Sequence, residues 1–192
     1  VESAQKEADV ADAVRVAEQI ELLQAENPLE QRLRASSSLG FLGAAAAEAV
    51  PALIDCFVAV EPLRQNAIYA LAAIGAPAIP ALVARIEDRS VGKWSEGAFV
   101  LEDSAYALAA MGKGAMPALV ELAEHQSEWI RINALFALGE IGVAAITCVP
   151  LLKAALADPS HKIVRTALDA LGQMGAGAAA LLPDIAALLQ ME

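Results

Sequence analysis

Apolar side chains along this chain recur three and four residues apart, the spacing that lines one face of a helix, and the pattern restarts several times. Each restart closes on one six-residue signature: small, Leu, small, any residue, large apolar, Gly. It reads Ser38-Leu39-Gly40-Phe41-Leu42-Gly43, and again from Ala70 to Gly75, Ala107 to Gly112, Ala137 to Gly142 and Ala170 to Gly175. A proline follows the closing glycine after five residues (Pro80, Pro117) or after eight (Pro51, Pro150, Pro183). Self-similarity at 30 to 37 residues marks a stacked repeat protein, whose units bury their apolar faces only against neighbours.

Each repeat is expected to be a helix, a turn and a second helix. The first helix ends at the closing glycine, where a left-handed cap conformation costs glycine nothing. Proline then suits the first turn of the second helix, because the amide it lacks would have no partner there. The expected pairs are 29–42 with 47–60, 62–74 with 77–88, 97–111 with 114–125, 127–141 with 145–157, and 160–174 with 178–190. Leucine always stands four residues before the closing glycine (Leu39, Leu71, Leu108, Leu138, Leu171), and glycine or alanine three before it. A large knob beside a small notch lets first helices of successive repeats press together, so leucine at Gly139 or Gly172 should overpack. Leu53, Leu82, Leu119, Leu152 and Ile185, each two residues after its proline, supply the inward position of the second helices.

Ahead of the repeats, residues 3–26 read as one helix with Val10, Val14, Ala17, Ile20 and Leu23 inward, and Asn27-Pro28 ends it. Residues 1–28 are thus an acidic, amphipathic N-terminal cap, which a stack needs over its open end. Residues 29–192 are expected to form a single continuous domain. The fold class is all-α: an α-solenoid, a right-handed superhelix of about five two-helix repeats.

Composition supports helices. Apolar residues make up 57% of the chain and aromatics 4%, so the core is largely alanine and leucine, both strong helix formers. The net charge of −11 changes the functional picture. Residues 1–30 hold eight acids against two bases, a balance of −6, and the remaining 162 residues carry −5. Clustered Lys and Arg are what hold a phosphate backbone, so nucleic acid is not expected as a partner, and anionic lipid is disfavoured by the same sign. Cys56 and Cys148 lie almost three repeats apart, too far to bridge, and read as reduced core residues. Gln65 to Ala84 runs 20 positions without charge, but Gly75, Pro77 and Pro80 divide it into two short buried helices; no direct membrane span is expected. The chain opens on Val1, with no basic segment followed by an apolar one. It reads as a soluble protein of the cytoplasm or of an organelle interior after removal of a targeting segment.

The segment Ile130-Arg131-x-x-Ala134-x-x-Ala137-Leu138-Gly139-x-Ile141-Gly142, with Pro150-x-Leu152 after it, resembles the HEAT-like repeat of the phycobilisome lyase type. Asp158-Pro159-Ser160-His161-Lys162-Ile163-Val164-Arg165 resembles the inter-repeat connection of that family. The likeness covers about residues 29–190. Two positions depart from it: Arg165 lies one residue closer to its glycine than Arg131 does, and Leu101 stands where Arg32, Arg64 and Arg131 stand. The resemblance implies a scaffold whose second helices line a concave protein-binding face, and, for a minority of relatives, a bilin lyase subunit or an assembly factor for a pigment–protein complex.

Catalytic patterns are not found. Both histidines lack the adjacent glutamate of the di-iron hydroxylases with this kind of repeat, and the acidic balance opposes a DNA glycosylase groove. A phosphate loop, a Cys-x-x-Cys pair and a nucleophile elbow are missing too. No catalytic residue, cofactor or metal is expected, and the chain is read as a non-enzyme. The expected partner is another protein or a multi-subunit complex with a basic or apolar contact surface.

Two places are candidates for that contact. From Pro80 to Gly112 there are 32 residues, against 24 or 25 in the comparable intervals, so seven or eight are inserted within residues 88–98. Lys93, Trp94 and Glu96 of this insertion are the expected contacts, with Trp94 as anchor. On the second helices, Asp55, Glu87, Glu121, Glu124 and Lys153 would line a largely acidic concave face. Trp129 and the ladder Tyr69, Tyr106, Phe136 are expected to pack between repeats.

Overall fold

The computed structural model describes residues 2–88, 98–181 and 183. Among these every element is helical. The chain divides into two compact units, residues 1–111 and 112–192.

The first unit contains α1 (Glu2–Leu22), α2 (Leu29–Leu42), α3 (Val50–Asp55), α4 (Leu63–Ile74), α5 (Ile79–Glu87) and α6 (Ala98–Ala110). The second contains α7 (Met116–Ala123), α8 (Glu128–Ile141), α9 (Val149–Ala155) and α10 (His161–Gln173). Within the units, first helices pack on the next first helix, α2 on α4, α4 on α6 and α8 on α10. The expected leucine layers are there. Leu39, Leu71, Leu108 and Leu138, and on the second helices Leu53, Leu82, Leu119 and Leu152, are all fully buried. Full burial of one such side chain stabilises by about 1.5–3 kcal/mol, so these layers carry much of the fold. Ile185 lies outside the described residues.

The turns between paired helices differ from the expected cap. All five closing glycines have positive φ. However, Gly43 lies at φ 55, ψ −134, Gly75 at φ 74, ψ −134 and Gly142 at φ 64, ψ −138. That is the mirror image of the extended region, open to glycine alone, and not the left-handed helical well that Asn can also enter. From there the chain runs into a 3-10 turn, Gly43–Ala49, Ala76–Ala78, Gly112–Ala115 or Gly142–Cys148. The second helices therefore start at Val50, Ile79, Met116 and Val149, two to four residues later than the pattern suggests, with the proline in their first turn.

The stretch without charge folds as α4 and α5, with segments 63–74 and 76–87 bent by 113° at Gly75. By length and composition, 29–58 and 128–155 are also apolar enough to cross a membrane; each contains a closing glycine, Gly43 or Gly142, that leaves helical geometry.

The cap helix keeps the expected face at Ile20 and Leu23 and departs from it ahead of them. Val10 and Val14 are 59% and 54% exposed and Ala17 is exposed, whereas Val16 and Leu23 are buried and Ile20 half-buried. The stripe at 16, 20 and 23 has the same helical spacing as the one at 10, 14 and 17, and the stripe bearing the branched and long side chains nearest α2 is the one that packs.

Candidate partner-binding surface

The expected second-helix residues stand on the surface. Asp55 ends α3, which packs beside α5, and Glu87 ends α5; both are exposed. In the second unit Glu121 lies on α7, Glu124 follows it, and Lys153 lies on α9, again all exposed. None of the four carboxylates makes an ion pair among the described residues. Lys93, Trp94 and Glu96 lie outside the described residues.

A set of arginines ties the starts of the first helices to their neighbours. Arg32, the fourth residue of α2, turns back and donates from Nε to the Leu23 carbonyl at 2.9 Å, just past the end of α1. Arg131, the fourth residue of α8, donates from Nη1 to the carbonyls of His125 (3.1 Å) and Gln126 (3.0 Å), just past the end of α7. Its Nη2 donates to Asp158 Oδ2 at 3.2 Å, ahead of α10. A cation beside carbonyls at a helix end is favoured by the helix dipole as well as by the hydrogen bonds. Arg64 plays its part differently, donating from Nε to Glu61 Oε1 at 2.6 Å and lying 3.8 Å from Asp103 Oδ2 on α6. The departure at Leu101 thus coincides with a buried carboxylate two residues on. Arg165, one position out of step, is exposed, and Val164 takes the half-buried place.

Short side-chain caps order the links. Asp158 Oδ1 accepts from the Ser160 amide at 2.9 Å, and His125 Nδ1 accepts from the Ser127 amide at 2.9 Å, in the same place one repeat earlier.

Aromatic placement departs from expectation. Tyr69 is 60% exposed and Tyr106 40%, so the ladder is not buried between repeats in the first unit. The physical reason is their place six residues before the glycine, two positions from the buried leucine, which points away from the seam. Phe136 and Trp129 are half-buried, and Phe41, two residues from its glycine, is 92% exposed. Both cysteines are free and buried. Burial pushes the Cys56 thiol up from 9.0, against the opposing pull of the Arg32 guanidinium, and burial pushes Cys148 up as well. Both are therefore neutral thiols at pH 7, poor nucleophiles.

The family of HEAT repeats matches residues 100–191, and the PBS lyase HEAT-like repeat matches residues 63–88. The chain is a HEAT-like repeat protein. Its fold is the all-α solenoid of such repeats. A crystal structure described as an engineered protein from a structural genomics consortium is 19% identical, with a TM-score of 0.41, over 91% of this chain and 87% of that one. No curated protein matches the chain. HEAT repeats are scaffolds for protein interaction and mostly non-enzymatic.

Sequence reasoning passed over the arginine clasps, although the shared position of Arg32, Arg64 and Arg131, eleven residues before each glycine, was the signal for them. It also passed over the consequence of unequal glycine-to-proline spacing, which shapes the surface of the second unit.

Proposed function

We propose that this HEAT-like protein is a non-enzymatic scaffold subunit that binds a basic partner protein through the exposed carboxylates of its second helices, with the insertion around Lys93, Trp94 and Glu96 as a further contact. The observation that carries this is the exposure of Asp55, Glu87, Glu121 and Glu124 without an ion pair among the described residues. Unpaired surface carboxylates add little to stability, so they are free to steer a cationic surface. Lys153 adds a positive point on α9.

A native pull-down with identification of what is captured is the test. Reversing all four carboxylates to lysine should lower capture by about tenfold or more while the melting temperature holds, since charges across an interface act mainly on association. Capture that is unchanged by the reversal would sink the acidic-face reading. Trp94→Ala should weaken capture with no loss of stability.

The match of residues 63–88 to the PBS lyase HEAT-like repeat favours a second reading, a component of a bilin lyase or an assembly factor for a pigment–protein complex. Titration with free bilin separates the two. A shift in bilin absorbance supports the second reading, and a flat titration removes it.

A further inference from the structure

The unequal turns of the second unit build a groove. In repeat three the glycine and proline are five residues apart, so the turn Gly112–Ala115 is short; in repeat four they are eight apart, and Gly142–Cys148 is long. The two turns lie side by side. Between them opens a cavity of about 590 Å3. Its walls are Met116 and Val120 of α7 facing Val143 and Ile146 of the long turn, with Cys148 also lining it and Lys113 as the one charged residue among the described ones. Val143 is 64% exposed and Ile146 37%, so both can take an apolar ligand. Lys113 is exposed and makes no ion pair among the described residues.

We propose that this groove binds a long-chain carboxylate, its alkyl chain along Met116, Val120, Val143 and Ile146 and its head group on the Lys113 ammonium. The size is that of small-molecule sites, about 300–1,000 Å3, and an apolar wall with one placed polar group is their usual lining. Charge complementarity here is local and works against the field of a chain of net charge −11: the Lys113 ammonium at the groove meets an anionic head group, the apolar wall holds the alkyl chain, and a small hydrophilic anion gains nothing from the wall. A cationic amphiphile meets the same wall with a repulsive rim. The site is separate from the second-helix carboxylates, and neither proposal depends on the other.

Isothermal titration of the full chain with dodecanoate, held below its micelle concentration, tests this. One saturable site is expected, with dodecyltrimethylammonium weaker by about tenfold or more. Lys113→Glu and Val143→Asp alter exposed side chains, so both variants fold, and each should weaken dodecanoate by about tenfold or more. A melting curve for each variant checks that the fold is kept. Absence of saturable binding, equal binding of the cationic amphiphile, or unchanged affinity in both variants would overturn the proposal.

Discussion

The seam between α2 and α4 in the first unit and the seam between α8 and α10 in the second are built from the same sequence signature and packed to different tightness. A Cβ added at Gly40 would lie 3.2 Å from Ala70 Cα, a contact a small shift relieves. At Gly139 it would lie 2.8 Å from Ala170 Cα and 2.8 Å from Gln173 Oε1, and the first of these is backbone that cannot step aside. The polar edges differ too. Asn66 Nδ2 of α4 reaches Ser37 Oγ at 3.3 Å and the Leu33 carbonyl at 3.5 Å. Gln173 Nε2 of α10 donates to Glu140 Oε1 at 2.9 Å, and Ser160 donates to Glu128 Oε1 at 2.6 Å. The signature therefore specifies that two helices meet at a notch, while the residues opposite the notch decide how closely.

The largest effect should come from filling the tighter notch. Gly139→Leu should destabilise by about 3 kcal/mol, because overpacking against backbone forces the helices apart. Gly40→Ala should cost about 1 kcal/mol or less, since the neighbour gives by tenths of an ångström. Gly172, in the same position on α10, meets no described residue within 4 Å. Against the described residues, leucine there has nothing to overpack, unlike leucine at Gly139. Gly172→Ala should instead stabilise by up to about 1 kcal/mol through helix propensity. Urea midpoints of the three variants give the order, and equal midpoints for Gly139→Leu and Gly40→Ala would show that the two seams are alike after all.

Much of the fold was legible because its signals are local. The leucine and glycine registers repeat five times, and each copy corrects errors in the others, so the first helices fall within one or two residues of the predicted spans. The second helices were less legible, because a proline is compatible with several positions in a first turn and nothing local distinguishes a left-handed cap from its extended mirror. The cap helix shows the same limit: Ile20 and Leu23 are covered as their spacing predicts, but Val16 continues their stripe as well as Val10, Val14 and Ala17 do, and only the neighbours choose. Of the candidate surface, the exposure of Asp55, Glu87, Glu121, Glu124 and Lys153 followed from their place in the repeat, whereas exposed Phe41 and Tyr69 did not, since aromatic character alone argues for burial.

The turn glycines should behave alike in both units, in contrast to the notches. Gly43 and Gly142 share one backbone conformation to within about ten degrees. Replacing either by alanine should cost about 2 kcal/mol, the strain of a non-glycine residue in a glycine-only region. Asparagine, which often rescues a left-handed helical position, should do no better than alanine here. A clear recovery with asparagine in thermal melts would mean that the turn relaxes to the ordinary left-handed cap.

The smallest effect should separate the two arginine clasps. Arg131 holds two carbonyls and a half-buried carboxylate, whereas Arg32 holds the Leu23 carbonyl and sits beside the Cys56 thiol, so Arg131→Gln should cost about 1 kcal/mol more than Arg32→Gln. Part of the Arg131 loss belongs to Asp158, which keeps its bond to the Ser160 amide but is left as a half-buried charge without its cation. Asp158→Asn retains an oxygen for that amide and removes the stranded charge. In the Arg131→Gln background it should therefore be less harmful than in the parent chain, a coupling that a double-mutant cycle on urea midpoints reads directly. Strict additivity would show that the ion pair is incidental and that the carbonyl bonds alone hold α8 to the end of α7.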